Sequence, residues 1–236
     1  MKKIIVFQFR TDQSLTHERK CYQDVLRVSK VKLIFVNMLN KKEPKIPDIS
    51  NYSGAIIAGS GQFNVTDWND FVRSRAEKLY PFMQNCISLN YPLLGVCFGH
   101  QLMAHALGGK VERDPKQAEV GTVKIILTSA GQKDVLYKNI PKKFFVAAGH
   151  KDSVTKLPKS GVLLAKSNIT KIESYKIKNN IYAVQFHPEL DFEALIYRLS
   201  LYPEYMKGKS EEEIRSQHHK IPYATKILKN FLEIVN

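Results

Sequence analysis

Cysteine is scarce in this sequence, and its scarcity excludes a good deal. Cys21, Cys86 and Cys97 are an odd count in 236 residues, at no metal-ligand spacing. That rules out a disulfide framework and a cysteine-built metal centre, and it fits a reducing, cytoplasmic setting. Long apolar runs are missing too: none exceeds strand length, so no membrane span is expected. Met1-Lys2-Lys3 before Ile4-Ile5-Val6-Phe7 has the opening of a signal peptide. However, Gln8, Phe9, Arg10 and Thr11 break the stretch and no small-residue cleavage site follows, so the segment reads as a first core strand. There is no internal repeat and no low-complexity linker. With 44% apolar residues, the length fits one large α/β domain, a core over residues 1–189 with a helical extension over 190–236. Acidic residues are outnumbered, 22 against 36 Lys and Arg, for a net charge of +14. Lys41-Lys42, Lys142-Lys143 and Lys176-Ile177-Lys178 are short clusters, and no zinc-finger, RNA-recognition or basic-helix motif accompanies them. The charge therefore reads as a lysine-rich solvated surface able to attract an acidic partner subunit or an anionic substrate; nucleic acid is not the expected partner.

What is present is more specific. Gly95-Val96-Cys97-Phe98-Gly99-His100-Gln101 sets one cysteine between glycines, after the apolar run from Pro92 and before a helical stretch that stops at Gly108-Gly109. A strand, a single nucleophile and a helix make a nucleophile elbow, whose sharp turn needs small neighbours and holds the side chain exposed. A thiol there sits at a helix N-terminus, where the dipole favours thiolate. A buried cysteine before a helix is the plainer reading, but it does not call for glycine on both sides. A thiolate needs a base and something to orient that base. Ile181-Tyr182-Ala183-Val184-Gln185-Phe186 reads as a strand running into His187-Pro188-Glu189. Residues two apart in extended chain project to one side, so Glu189 can hold one imidazole nitrogen of His187 and leave the other facing the thiol.

These two motifs, together with Ile56-Ile57-Ala58-Gly59-Ser60-Gly61-Gln62, resemble the class I (triad) glutamine amidotransferases. The resemblance runs in order from the first strand to about Glu189, and the helical tail resembles the stand-alone, GMP synthase-like branch. It implies a flavodoxin-like fold: a central mostly parallel sheet with helices on both faces, an antiparallel extension and a helical C-terminal tail. It implies Cys97, His187 and Glu189 as the catalytic triad, and an oxyanion hole from the backbone N–H of Phe98 and of Ser60, or of Gly59 if the register slips by one. Gly59-Ser60-Gly61 departs from the family's Gly-Gly-Pro. Backbone donors survive that change, but losing proline frees the loop, which predicts that it orders on binding substrate. Gln101, Gly61 and the stretch Gly149-His150-Lys151-Asp152-Ser153-Val154 match substrate-contacting positions, and Glu119-Val120-Gly121 matches a motif near the site mouth. For His150 and Asp152 a turn pair between strands is an equal reading. His100 and His105 lie five apart on the helix, share no face, and read as packing or surface residues.

The implied chemistry is cleavage of a γ-glutamyl amide through a thioester on Cys97, with no cofactor and no metal. Three functions are compatible. One is glutamine hydrolysis to glutamate and ammonia for a separate synthetase, since no nucleotide-binding loop is present. The second is γ-glutamyl hydrolase or peptidase action with the same triad. The third is a non-catalytic interaction module, against which the intact triad argues.

Periodicity completes the reading. Strands are expected at 2–8, 31–37, 54–58 and 93–96, with a helix over 15–29 carrying Cys21, Val25 and Val28 on one face and a loop over 41–51. Asp67 is expected to cap a helix over 68–90, with Phe71, Leu79, Phe82 and Met83 facing the core. Between 110 and 185, short runs at 123–127, 144–148, 161–165, 172–177 and 181–185 predict antiparallel strands, the last pair joined by a turn at Asn179-Asn180. In the tail, a helix is expected over 192–201, a break at Lys207-Gly208-Lys209, a capping box of Ser210 with Glu213, and a last helix from Pro222. Tyr202-Pro203-Glu204-Tyr205-Met206 reads as packing against the sheet rather than as a wall of the site.

Overall fold

The computed structural model describes residues 1–27, 29–206, 208 and 210–235. Strands β1 (Lys2–Gln8), β2 (Val31–Asn37), β3 (Gly54–Ile57) and β4 (Leu93–Val96) alternate with helices α1 (Ser14–Leu26), α2 (Asp70–Glu77), α3 (Leu79–Ser88) and α4 (Phe98–Ala106). Then come β5 (Lys110–Arg113), β6 (Glu119–Leu127), α5 (Ser129–Lys133), β7 (Lys143–His150), β8 (Asp152–Lys156), β9 (Val162–Lys166), β10 (Ser174–Ile177) and β11 (Ile181–Val184). The tail holds α6 (Phe192–Ser200), α7 (Pro203–Met206), α8 (Glu211–Ser216) and α9 (Ala224–Ile234). Nine strands form one sheet in the order β2-β1-β3-β4-β11-β10-β9-β6-β7, and β5 pairs with β8 apart from it. The neighbours from β2 to β11 run parallel; those from β11 to β7 run antiparallel. This is the mostly parallel sheet with an antiparallel extension and a helical C-terminal region that the resemblance implies.

The period-2 alternation of strands sorts the core onto two faces. Ile4 and Val6 of β1 pack with Tyr22 and Leu26 of α1 and with Ile227 and Phe231 of α9. Ile5 and Phe7 face the other way, onto Val72, Phe82 and Met103. β3 and β4 are buried on both faces, as parallel central strands require. No helix among the described residues is long and apolar enough to cross a membrane.

The expected strands at 2–8, 31–37 and 93–96 fall where the pattern places them. The long helix over 68–90 does not form as one piece. Pro81 has no N–H to return to the carbonyl of residue 77, so the helix parts at Lys78, which ends α2 and begins α3. Its cap is Asn69, whose Oδ1 accepts from the Val72 N–H at 2.9 Å. Asp67 instead receives Arg113 Nη1 at 2.7 Å, and Phe71 is 47% exposed. The β5–β8 ribbon was not foreseen, because both strands are short and carry polar residues at alternate positions. The hairpin turn before β11 forms as expected, with Lys178 taking a positive φ of 56°. In the tail, the Ser210–Glu213 capping box is present, and Arg215 clasps Glu193 of α6 with two bonds of 2.8 and 2.9 Å. Val28, Lys207 and Lys209, named in the expected α1 face and tail break, lie outside the described residues.

Candidate active site

Cys97 occupies the junction between β4 and α4 with φ 50° and ψ −101°, a conformation that costs a non-glycine residue about 1–3 kcal/mol and persists only when its surroundings impose it. They do. The Cys97 N–H donates to the Val184 carbonyl at 2.9 Å, and the Cys97 carbonyl accepts from the Gln101 N–H at 3.1 Å. The flanking glycines have a steric reason: a Cβ on Gly95 would meet Met103 Sδ at 2.5 Å, and one on Gly99 would fall 2.0 Å from the Ile57 carbonyl oxygen. Helix α4 thus lies directly on β3. The thiol is nearly covered, 3% exposed, with Sγ 3.9 Å from the Gly149 carbonyl oxygen. The N–H of Phe98 opens α4, where no preceding turn supplies it an acceptor.

His187 follows β11, and its N–H donates to the Ala147 carbonyl at 2.8 Å. That rung shows that the antiparallel part of the sheet curls until its edge strand β7 reaches the chain leaving β11. His187 Nδ1 lies 2.8 Å from Glu189 Oε1, and the ring and Cys97 meet at Gly59, where an added Cβ would fall 2.7 Å from His187 Cε1 and 3.3 Å from Cys97 Cβ. The three side chains singled out from sequence therefore converge, with the carboxylate on Nδ1 of the ring and Cys97 beside the ring across Gly59. Burial works to keep His187 neutral, but the negative charges of Glu189 and Cys97 prevail and raise its pKa to about 9. Burial likewise opposes charge on Glu189, and His187 followed by Arg198 outweighs it, holding the carboxyl below the ordinary range.

The loop after β3 is braced from both sides. A Cβ at Gly59 would sit 2.7 Å from His187 Cε1, and one at Gly61 would sit 2.4 Å from the Tyr202 ring. Ser60 Oγ accepts from the Phe63 N–H at 3.2 Å, Gln62 Oε1 accepts from the Thr11 N–H at 2.8 Å, and the Tyr205 hydroxyl donates to the Gly61 carbonyl at 3.4 Å. The freedom expected from the missing proline is thus offset by neighbours that close on the glycines. The tail residues Tyr202 and Tyr205, expected to pack away from the site, line the cavity beside His187 with Ser60 and Gly61. Their apolar rings do pack, in the cluster built on α6, but both hydroxyls turn to polar partners in and around this loop.

The remaining expected contacts are placed less directly. Gln101 is buried, donating from Nε2 to the Asp152 carbonyl at 2.8 Å and to Gln185 Oε1 at 3.2 Å. The Asp152 carboxylate is committed to the Thr66 N–H at 2.8 Å, the Thr66 hydroxyl at 2.9 Å and Arg113 Nε at 3.1 Å. Its side chain thus ties the start of β8 to the Thr66 loop and to β5. Lys151 reaches Glu204 at 3.5 Å and lies over the Tyr205 ring at 4.4 Å. His150 donates from Nδ1 to the Asp152 carbonyl at 3.0 Å, and its Nε2 is 3.4 Å from Glu119 Oε2. His100 is buried against Tyr175, and His105 is exposed, as packing and surface residues would be.

Sequence reasoning missed Glu173, Arg10 and Arg198. Glu119, His150 and Glu173 are buried with ligand atoms within 4.8 Å of one another. Glu119 is engaged by Ser167 at 2.7 Å and Thr170 at 2.9 Å. Burial, then Glu119, drives the Glu173 carboxyl well above the usual range, and both of its oxygens are buried without a hydrogen-bond partner among the described residues. This makes a polar knot beneath Gly149. Arg10 had a signal, a charged residue directly after an apolar strand; Glu173 and Arg198 had none, since their partners are remote in sequence.

The chain matches the family model for class-I glutamine amidotransferases over residues 20–194, and it belongs to that family. Among curated proteins it is 34% identical to γ-glutamyl peptidase 4 of Arabidopsis thaliana over 156 residues, 64% of this chain and 59% of that one. It is 41% identical to a glutamine-hydrolyzing GMP synthase subunit from Methanocaldococcus jannaschii over 112 residues, 45% of this chain and 57% of that one. The matched stretch thus spans less than two thirds of either relative's length. The structure resembles a glutamine amidotransferase from Thermotoga maritima with a TM-score of 0.82 at 16% identity, covering 100% of this chain and 98% of that one, a likeness of fold.

Proposed function

We propose that this chain hydrolyses γ-glutamyl amides, with glutamine as the simplest substrate, and passes the ammonia to a separate synthetase. The observation that carries this is the convergence of Cys97, His187 and Glu189 at a strained elbow, with the Gly59 loop pressed against the imidazole. Cys97 Sγ attacks the γ-carbonyl carbon, and the oxyanion is held by the Phe98 N–H and that of Ser60 or Gly59. His187 as imidazolium gives its proton to the departing nitrogen, leaving a thioester. Water, deprotonated by neutral His187, then adds to the thioester; glutamate departs and the thiol is restored. Gly61, Gln101 and the backbone of His150, Lys151 and Asp152 are the proposed substrate contacts. Free Cys21, Cys86 and Cys97 fit a cytoplasmic setting.

A second reading, γ-glutamyl peptidase action, is favoured by the likeness to the Arabidopsis enzyme and uses the same steps with a larger amine leaving. Purified protein offered glutamine and a panel of γ-glutamyl peptides, with ammonia and glutamate followed, separates the two. Equal inertness of wild type and Cys97→Ala on every substrate, with and without lysate partners, would leave only the non-catalytic reading.

Two outcomes follow from the imidazole. Glu189→Gln is expected to lower kcat by about 10³–10⁴-fold, because the wrong tautomer turns toward the thiol; steady-state kinetics at fixed pH check it. The proton on His187 persists to about pH 9 in the folded protein, against 6.5 ordinarily. Leaving-group protonation and kcat/KM should therefore hold through neutral pH and decline above about 9. A raised pKa also means stability fully present below 6.5 and lost as pH rises through about 9. Urea midpoints should accordingly fall across that window in wild type and less in His187→Gln.

A further inference from the structure

Glu119, His150 and Glu173 are buried, and each brings one donor atom within 4.8 Å of the other two. Glu119 and His150 face each other across the β6–β7 ladder, and Glu173 lies on the chain entering β10. The tautomer of His150 is set by its surroundings. Nδ1 meets the Asp152 carbonyl oxygen at 3.0 Å, and a carbonyl only accepts, so Nδ1 carries the proton. In the neutral ring Nε2 then offers a lone pair, yet its neighbour at 3.4 Å is Glu119 Oε2, another acceptor. Glu173 is fully buried, and neither of its oxygens has a hydrogen-bond partner among the described residues. Buried carboxylate oxygens are costly to leave unserved. A proton between Nε2 and Oε2 would settle that pair and leave Glu173 unmet. A single divalent cation meets all three donors and cancels both carboxylate charges.

We infer that Glu119, His150 and Glu173 form a binding site for one divalent transition-metal ion, with Zn²⁺ the best match, outside the reaction centre. The donor chemistry sets the class: an imidazole nitrogen with two carboxylates suits zinc and its neighbours, whereas magnesium and calcium favour all-oxygen sets. The surrounding groups are those that orient metal ligands. His150 is fixed through Nδ1 by a backbone carbonyl. Glu119 takes the Ser167 hydroxyl on Oε1 at 2.7 Å and the Thr170 hydroxyl on Oε2 at 2.9 Å, which leaves each oxygen a second lone pair. Ligands at about 2.0–2.2 Å from an ion span at most about 4.4 Å, so a small turn of a Glu carboxylate closes the set. The ion rivets β6, β7 and the entry to β10 together, next to Gly149, whose carbonyl oxygen Cys97 Sγ approaches at 3.9 Å. Its part is to hold that wall of the site. The thioester chemistry proceeds without it, so the metal site stands apart from the proposed hydrolysis.

The test uses Cys97→Ala protein, which lacks the thiol that could compete for the metal, dialysed first against a chelator. Equilibrated with Zn²⁺, it should retain about one ion per chain by plasma mass spectrometry. Its melting temperature should rise by roughly 5–10 °C when free Zn²⁺ exceeds Kd about a hundredfold. Glu173→Gln in that background keeps the shape of the side chain and should weaken Zn²⁺ binding by about tenfold or more in calorimetry. An anomalous difference map at the zinc edge, from crystals of Cys97→Ala, should place its peak among Glu119, His150 and Glu173; this measurement needs no further variant and decides the matter even where Glu173→Gln does not fold. No retained zinc and no melting shift overturn the site and leave the cluster satisfied by protons. Zinc affinity unchanged in Glu173→Gln refutes it as well. So does a peak elsewhere, for instance at His17 Nε2 and Cys21 Sγ, which lie 3.6 Å apart on α1.

Discussion

Replacing Cys97 by alanine is expected to lower kcat/KM for γ-glutamyl amide cleavage by roughly 10⁴-fold or more, the scale on which loss of a nucleophile removes a whole triad's work. The fold should survive. Alanine is smaller than cysteine, and the backbone that forces φ to 50° is held by Val184 and Gln101 rather than by the thiol. A small loss of stability is expected from the vacated volume. The discriminating measurement is product release by the variant under conditions where circular dichroism and melting match wild type. Substantial turnover by a folded Cys97→Ala protein would remove the thioester route.

Gly99→Ala should act on the fold. The added methyl would fall 2.0 Å from the Ile57 carbonyl oxygen and 2.8 Å from its carbon, which are backbone atoms of a central strand and cannot swing aside. Overpacking against flexible side chains costs about 1–3 kcal/mol, and a fixed obstacle belongs at or above the upper end. With about 3 kcal/mol lost, the melting temperature should drop by roughly 6–12 °C for a chain of this size. Because α4 begins at the elbow, the same push shifts Phe98 and Cys97, so kcat should fall in whatever fraction folds. Gly121→Ala is the control: φ is 102° there, so strain is expected, but no atom lies within 4 Å of the new methyl. A Gly99→Ala protein as stable as wild type would mean that α4 can lift from β3.

The parts of this fold legible in sequence are those decided locally. β1, β2 and β4 are apolar runs bounded by polar residues, and their limits coincide with the reading to the residue. The elbow was legible because glycine at 95 and 99 reports close backbone approach, and His187 and Glu189 because a two-residue spacing in extended chain settles their common side. What escaped depends on remote partners. A single proline divided a helix that amphipathic spacing had joined. Asn69 displaced Asp67 as a cap because Arg113, on a strand that had not been recognised, claims Asp67. Glu173 carries no local sign of its raised pKa, which burial and then Glu119 on β6 impose. Tyr202 and Tyr205 satisfied both readings offered for them, their rings packing in the tail while the Tyr202 ring and the Tyr205 hydroxyl meet Gly61.

The single rung between Ala147 and His187 gives the molecule a built-in test of its own completion. Cys97 and Gly59 are delivered by neighbouring parallel strands, but the base is anchored by β7, the far edge of the nine-stranded sheet. β7 itself is held by eight registered pairs with β6, so the anchor arrives only when that whole ribbon has docked in register. A slip of one residue would invert every side chain along β7 and leave His187 without its rung. Reactivity of the thiol should thus be among the last properties acquired in refolding. A half-assembled chain would present an elbow that is sterically formed and chemically idle, which spares the nascent protein a loose nucleophile.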